Sequence, residues 1–210
     1  MTAVKNNQGF SLMELLVALS LIAVFSSLIV MSLDNVQQSQ DIESSTTNLS
    51  VYFERCRQEA IKRNDFVAMG FKISDNTESE SIISVAAGVS EDSSSLMEAS
   101  RLTQIIKTDS YTNVAIIDKQ DLPPEIKSLA TEEQLYGDYL DDIIINKSIR
   151  IGRDNFEGFL VISPGGEIIP DPSSRLYHPK VNIALKSITS SNTAILTLYS
   201  IMGEPVITIY

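Results

Sequence analysis

Gly9-Phe10-Ser11-Leu12-Met13-Glu14-Leu15-Leu16-Val17-Ala18-Leu19 opens the stretch that decides the fold. It leads into residues 15–33, LLVALSLIAVFSSLIVMSL, nineteen positions with no charge, no Pro and no Gly. A helix rising ~1.5 Å per residue needs about twenty such residues to cross a hydrocarbon core of ~30 Å. Lys5 is the only charge before Glu14, and Asp34, Asp41 and Glu43 come after the run. That distribution keeps Lys5 on the cytoplasmic side and exports the chain beyond residue 33. A secretory signal peptide has a shorter apolar core closed by a small-x-small cleavage site, and neither is present. A plain anchor leaves Glu14 unexplained, because a carboxylate at the edge of an apolar helix is costly unless something pairs with it.

The remaining composition narrows the possibilities. The 210 residues carry 16 Lys+Arg against 27 Asp+Glu, a net charge of -11. A nucleic-acid binder needs a basic face to displace counterions, so that class is disfavoured. One Cys and one His exclude an internal disulfide framework and a Cys/His zinc site within one chain. The 43% hydrophobic content is that of a folded protein.

Beyond Asp34 the apolar positions Ile42, Leu49, Tyr52, Phe53, Cys56, Ala60 and Ile61 keep a helical period. They predict an amphipathic continuation with one face on a globular domain, ending near Asn64-Asp65 after Lys62 and Arg63. The serine-threonine stretch Ser44 to Thr47 is the place for a bend. After Asn64 the period changes. Strands are expected over 66–73, 81–86, 101–107, 113–118, 148–151, 156–163, 181–186, 193–199 and 205–210. Pro164-Gly165-Gly166 reads as a tight turn, Gly203-Glu204 as the turn of a last hairpin, and 125–140 as a short helix. Residues 75–81 and 90–95 read as polar loops.

The Gly9-to-Leu19 segment resembles the leader junction of type IV pilins and pseudopilins. It joins a short polar leader ending in Gly, an aromatic residue, and Glu at the fifth position of an apolar helix. The resemblance implies that a prepilin peptidase cuts between Gly9 and Phe10 and methylates the new amine. It also implies that Glu14 serves assembly by pairing with the amine of a neighbouring subunit. A second stretch, Tyr52 to Asn64 with Cys56-Arg57-Gln58-Glu59-Ala60-Ile61-Lys62-Arg63-Asn64 at its end, is similar to the H-type (GspH/FimT-like) minor pseudopilins. Phe159-Leu160-Val161-Ile162-Ser163-Pro164-Gly165-Gly166 resembles that family's strand-turn block, and residues 74–147 match nothing in it.

The expected architecture is therefore α+β: a long N-terminal helix, transmembrane in its first half, packed on an antiparallel β-rich domain of pilin type. Residues 1–9 would be a cleaved leader, 10–33 the transmembrane and fibre-core helix, 34–64 its amphipathic continuation, and 65–210 a periplasmic domain. The expected role is a non-enzymatic structural subunit of a type II secretion pseudopilus or type IV pilus-like fibre that supports protein export. Its partners would be other pilins, the prepilin peptidase, an inner-membrane assembly platform and the membrane, with no nucleic acid. A minor pilin that binds a ligand in adhesion or DNA uptake is the alternative. No cofactor or metal is expected. His178 reads as a loop residue, Cys56 as a small core residue, and Glu132, Glu133, Asp138, Asp141 and Asp142 as a solvated acidic face rather than a calcium site.

Overall fold

The computed structural model describes residues 12–77, 80–90, 101–132, 134, 137–140, 144–145, 147–169, 177–200 and 204–210, with the side chains of 14, 27–40, 74–77 and 80–81 outside the description. The chain divides into two compact units, Met1–Gln38 and Ser39–Tyr210. Helix α1, Leu12–Arg63, runs through both. It is unbroken across Ser44 to Thr47, where the Thr46 hydroxyl donates to the Ile42 carbonyl at 2.6 Å. Turning the hydroxyl back on the helix lets this residue be fully buried at no cost to its hydrogen bonding.

A left-handed residue ends α1. Asn64 has φ 51°, its N–H donates to the Ile61 carbonyl, and the Asp65 N–H donates to the Ala60 carbonyl, both at 3.2 Å. These are the paired bonds of a Schellman cap, which satisfy carbonyls the helix would otherwise orphan. Lys62 and Arg63 lie in the last turn, where cations suit the helix dipole. Both also bond to Glu59, and the Arg63 hydrogen bond before that of Lys62 holds its carboxyl below the usual range.

The strands are β1 Val67–Thr77, β2 Glu80–Val89, β3 Arg101–Thr112, β4 Val114–Ile117, β5 Asp138–Tyr139, β6 Ile149–Ile151, β7 Asp154–Phe156, β8 Gly158–Ile162, β9 Ile168–Ile169, β10 Lys180–Ser187, β11 Thr193–Tyr199 and β12 Val206–Ile209. They form one sheet in the order β7-β6-β3-β2-β1-β8-β9 and a second in the order β12-β11-β10-β4, with β5 beside β10. The period-2 pattern puts Val67, Met69 and Phe71 of β1 and Leu196 and Leu198 of β11 into one central core. Ile42, Leu49, Phe53, Cys56 and Ala60 of α1 fill the same core, each fully buried. Burying a side chain such as Phe53 contributes about 1.5–3 kcal/mol.

Each sheet also has a covered outer face. Ala68, Ile151 and Phe156 pack outside the first sheet. At Gly70 a Cβ would stand 2.7 Å from Ile151 Cδ1, so only glycine allows that approach. Outside the second sheet, Leu122 and Ile126 of helix α2, Pro124–Leu129, and the turn before it cover Ala184 and Ile195.

Four expectations are corrected. The sheets are not purely antiparallel, since β3–β6 and β10–β5 are parallel pairs. The helix expected over 125–140 is interrupted: α2 ends at Leu129, Glu132, Gln134 and Leu140 are again helical, and Asp138 and Tyr139 between them form β5 beside β10, with Tyr139 buried near Ile126. The single strand expected over 156–163 is two strands in different places of the sheet: Phe156 pairs with Ile149, while the Glu157 N–H bonds to the Phe71 carbonyl and β8 lies on β1. The polar stretch 75–81 is mostly strand, with Asp75 opposite Ser81 and Thr77 opposite Glu80. The turn at 163–166 forms as expected, with the Gly166 N–H on the Ser163 carbonyl at 2.9 Å. Gly203 lies outside the described residues.

Candidate functional site

The first turns of α1 carry apolar residues on every side. Leu12 is 79% exposed, and Met13, Leu15, Leu16, Val17, Leu19, Leu21, Ile22, Val24 and Phe25 are each more than half exposed. Successive residues of a helix point ~100° apart, so no narrow stripe accounts for this set. A helix apolar all round is stable only when a lipid or other helices surround it. Its hydroxyl at Ser20 donates to the Val17 carbonyl at 2.8 Å and so asks nothing of water.

Among the described residues no helix is long and apolar enough to cross a membrane. The uncharged run from 15 to 33 stands in the sequence, and its second part, 27–33, has side chains outside the description. Gly9 and Phe10 also lie outside the described residues. Glu14 sits in the first turn of α1, two residues after Leu12, and its side chain is not described.

A second constellation joins the helix to the β unit. Arg57 is 9% exposed on the core face of α1. Its Nε donates to the Gly166 carbonyl at 3.2 Å, one terminal nitrogen donates to Glu54 Oε1 at 2.7 Å, and the other donates to the Tyr199 carbonyl. Its guanidinium lies 4.9 Å from the centre of the Phe53 ring. Arg57 thus ties α1 to the β8–β9 turn and to the end of β11. Gly166 has φ +88°, and a Cβ there would meet Arg57 Cγ at 3.0 Å. The segments 52–64 and 159–166 meet at this contact. Sequence reading missed Arg57, although an arginine one step from Cys56 on a face otherwise built of Phe53, Cys56 and Ala60 was the available signal.

The remaining candidates fall elsewhere. Cys56 is free and fully buried, and burial pushes its thiol up. His178 is in a β-bridge with Ile168 rather than an open loop, and its Nδ1 lies 2.9 Å from Asp138 Oδ2. Among the described residues no three His, Cys, Asp or Glu side chains gather to hold a metal. Glu133, Asp141 and Asp142 lie outside them.

Residues 4–30 match the family described as the prokaryotic N-terminal methylation motif. The motif marks a type IV pilin-like or pseudopilin protein, processed by a prepilin peptidase and assembled with other pilins. It is consistent with membrane anchoring through the N-terminus. Searches of curated proteins and of solved structures match none to this chain.

Proposed function

We propose that the chain is a non-enzymatic minor subunit of a type II secretion pseudopilus or a type IV pilus-like fibre. The observation that carries this reading is the exposed, all-round apolar start of α1 inside the methylation motif. In this reading the peptidase cuts between Gly9 and Phe10 and methylates the Phe10 amine. Residues 10–33 hold the subunit in the inner membrane with its β unit in the periplasm, then become part of the fibre core. Glu14 pairs with the Phe10 amine of a neighbour. Each charge alone is costly in an apolar surrounding, and pairing offsets that cost. The H-type assignment rests on the segments 52–64 and 159–166.

The test is Glu14→Leu in the full chain. Removing one partner of a buried ion pair costs about 3–5 kcal/mol, which corresponds to roughly a hundredfold or more in association. We expect the variant to be cleaved and membrane-inserted yet to recover few partner pilins on crosslinking at matched membrane levels. Equal recovery, or a mature N-terminus other than Phe10, would overturn the reading.

A further inference from the structure

Strand β12 is an open edge. Among the described residues it pairs only with β11, and it ends one side of the second sheet. Natural proteins blunt such edges with very short strands, charged side chains, Pro or bulges. The first sheet ends on β7 and β9, three and two residues long. At the other margin of the second sheet, β4 lies against β2. The edge at β12 has none of these devices. Val206-Ile207-Thr208-Ile209-Tyr210 is uncharged, has no Pro, and keeps an unbroken register with β11. Val206 and Ile209 are 46% and 42% exposed.

The ladder fixes which backbone groups are free. Tyr210 and Thr193 exchange both hydrogen bonds, at 2.8 and 3.2 Å. Bonded pairs alternate in an antiparallel ladder, so Thr208 and Val206 also direct their N–H and C=O at β11. The N–H and C=O of Ile207 and Ile209 therefore point outward. Two copies of this edge match when they run antiparallel with Ile207 of each opposite Ile209 of the other. Every outward N–H and C=O then finds a partner, and Thr208 falls on the two-fold axis. Setting Ile207 against its own copy would put Ile209 opposite Pro205, which has no N–H. Setting Ile209 against its own copy would carry Ile207 past the end of β12. One register alone thus satisfies both residues within the strand.

We propose that β12 pairs with β12 of a second copy of this chain, antiparallel about a two-fold axis at Thr208, joining the second sheets of two subunits. The same register sets each exposed Ile209 beside Ile207 of the other copy, on the face where Ile207 meets the central core. It opposes no like charges, although each copy carries -11. Five residues from each copy make a contact far smaller than the standard of about 20–30 a side, so it serves copies concentrated in one membrane. The proposal takes only membrane anchoring from the N-terminal motif. Neither cleavage nor Glu14 enters its test, so it and the fibre reading can fail separately.

Cys56 is buried, so an introduced thiol reports without background. The experiment reconstitutes the full chain with Thr208→Cys or Val206→Cys in zwitterionic vesicles and oxidises both in the same glutathione buffer. Across the axis, Thr208 faces its own copy at a Cα separation of about 4.5 Å, inside the ~4.4–6.8 Å range of a disulfide. Val206 is four positions out of step with its own copy, ~14 Å along the strands. We expect Thr208→Cys to give at least about tenfold more disulfide-linked dimer than Val206→Cys, although Val206 is the more exposed. Chance collision would favour Val206, and association through α1 alone would not favour Thr208. Adding Ile209→Pro should cut the Thr208→Cys dimer about tenfold with the tyrosine near-ultraviolet circular dichroism unchanged, because that N–H is not used by β11. Ile209→Lys, which places a charge on the edge, should do the same. Equal linkage of the two thiols, no dimer from Thr208→Cys, or a dimer that survives Ile209→Lys would each overturn the proposal.

Discussion

Arg57 shows how one side chain can carry a joint. Its guanidinium satisfies the carbonyls of Gly166, in the turn between β8 and β9 of the first sheet, and of Tyr199, at the end of β11 in the second, and lies over the Phe53 ring. Arg57→Met keeps the stem but leaves the buried Gly166 carbonyl without that donor. A buried group left unpaired costs about 1–3 kcal/mol. We expect the urea midpoint of the full chain in micelles, followed by tyrosine near-ultraviolet circular dichroism, to fall accordingly. Arg57→Lys should recover less than half, because a lysine cannot fork between two carbonyls and Glu54. Gly166→Ala should also destabilise, by about 1–3 kcal/mol, since it forces a side chain into a left-handed backbone against the Arg57 stem. A midpoint unmoved by Arg57→Met would show that the joint contributes nothing.

At the scale of elements, the end of α1 was legible because its signals are local: cations in the last turn, then Asn64. Asn tolerates the left-handed conformation and Gly tolerates it better. We therefore expect Asn64→Gly to be neutral or stabilising and Asn64→Ala to cost about 1–2 kcal/mol, read from the same urea midpoints. Equal midpoints would mean that the cap is not what ends the helix. The strands with apolar alternation or a full apolar run, such as Val67 to Phe71 and Thr193 to Tyr199, were legible for the same reason. The stretch 125–140 was not. Nothing in its own residues shows that Tyr139 would be buried against Leu122 and Ile126, or that Asp138 and Tyr139 would pair in parallel with Val181 and Asn182. Register is a long-range property that strand periodicity leaves open. The N-terminal methylation motif was legible because its signal lies in spacing within eleven residues, whereas the contacts of Arg57 reach residues more than a hundred positions away.

For the β unit as a whole, the buried acids set a limit at alkaline pH. Burial pushes the Cys56 thiol and the Tyr52 hydroxyl upward, with Cys56 adding to the effect on Tyr52. Burial followed by the nearby Asp109 carboxylate does the same for Tyr111. Groups raised above their unfolded values give stability that is whole below the unfolded pKa and is lost as pH rises. With unfolded values of about 8.5 for Cys and 10 for Tyr, the thermal midpoint should hold to about pH 8 and fall above it. Each group contributes at most about 1.4 kcal/mol per pH unit. Cys56→Ala should delay the onset of the fall. A midpoint flat to pH 11 would contradict this, as would rapid alkylation of the native thiol at pH 8. The apolar start of α1 has a different consequence. If the chain is the proposed fibre subunit, its passage from bilayer to fibre exchanges one hydrocarbon surrounding for another, with little water uncovered or released. Assembly through this segment should therefore have a heat-capacity change near zero. Its equilibrium would then show little of the curvature with temperature that marks the folding of water-soluble domains.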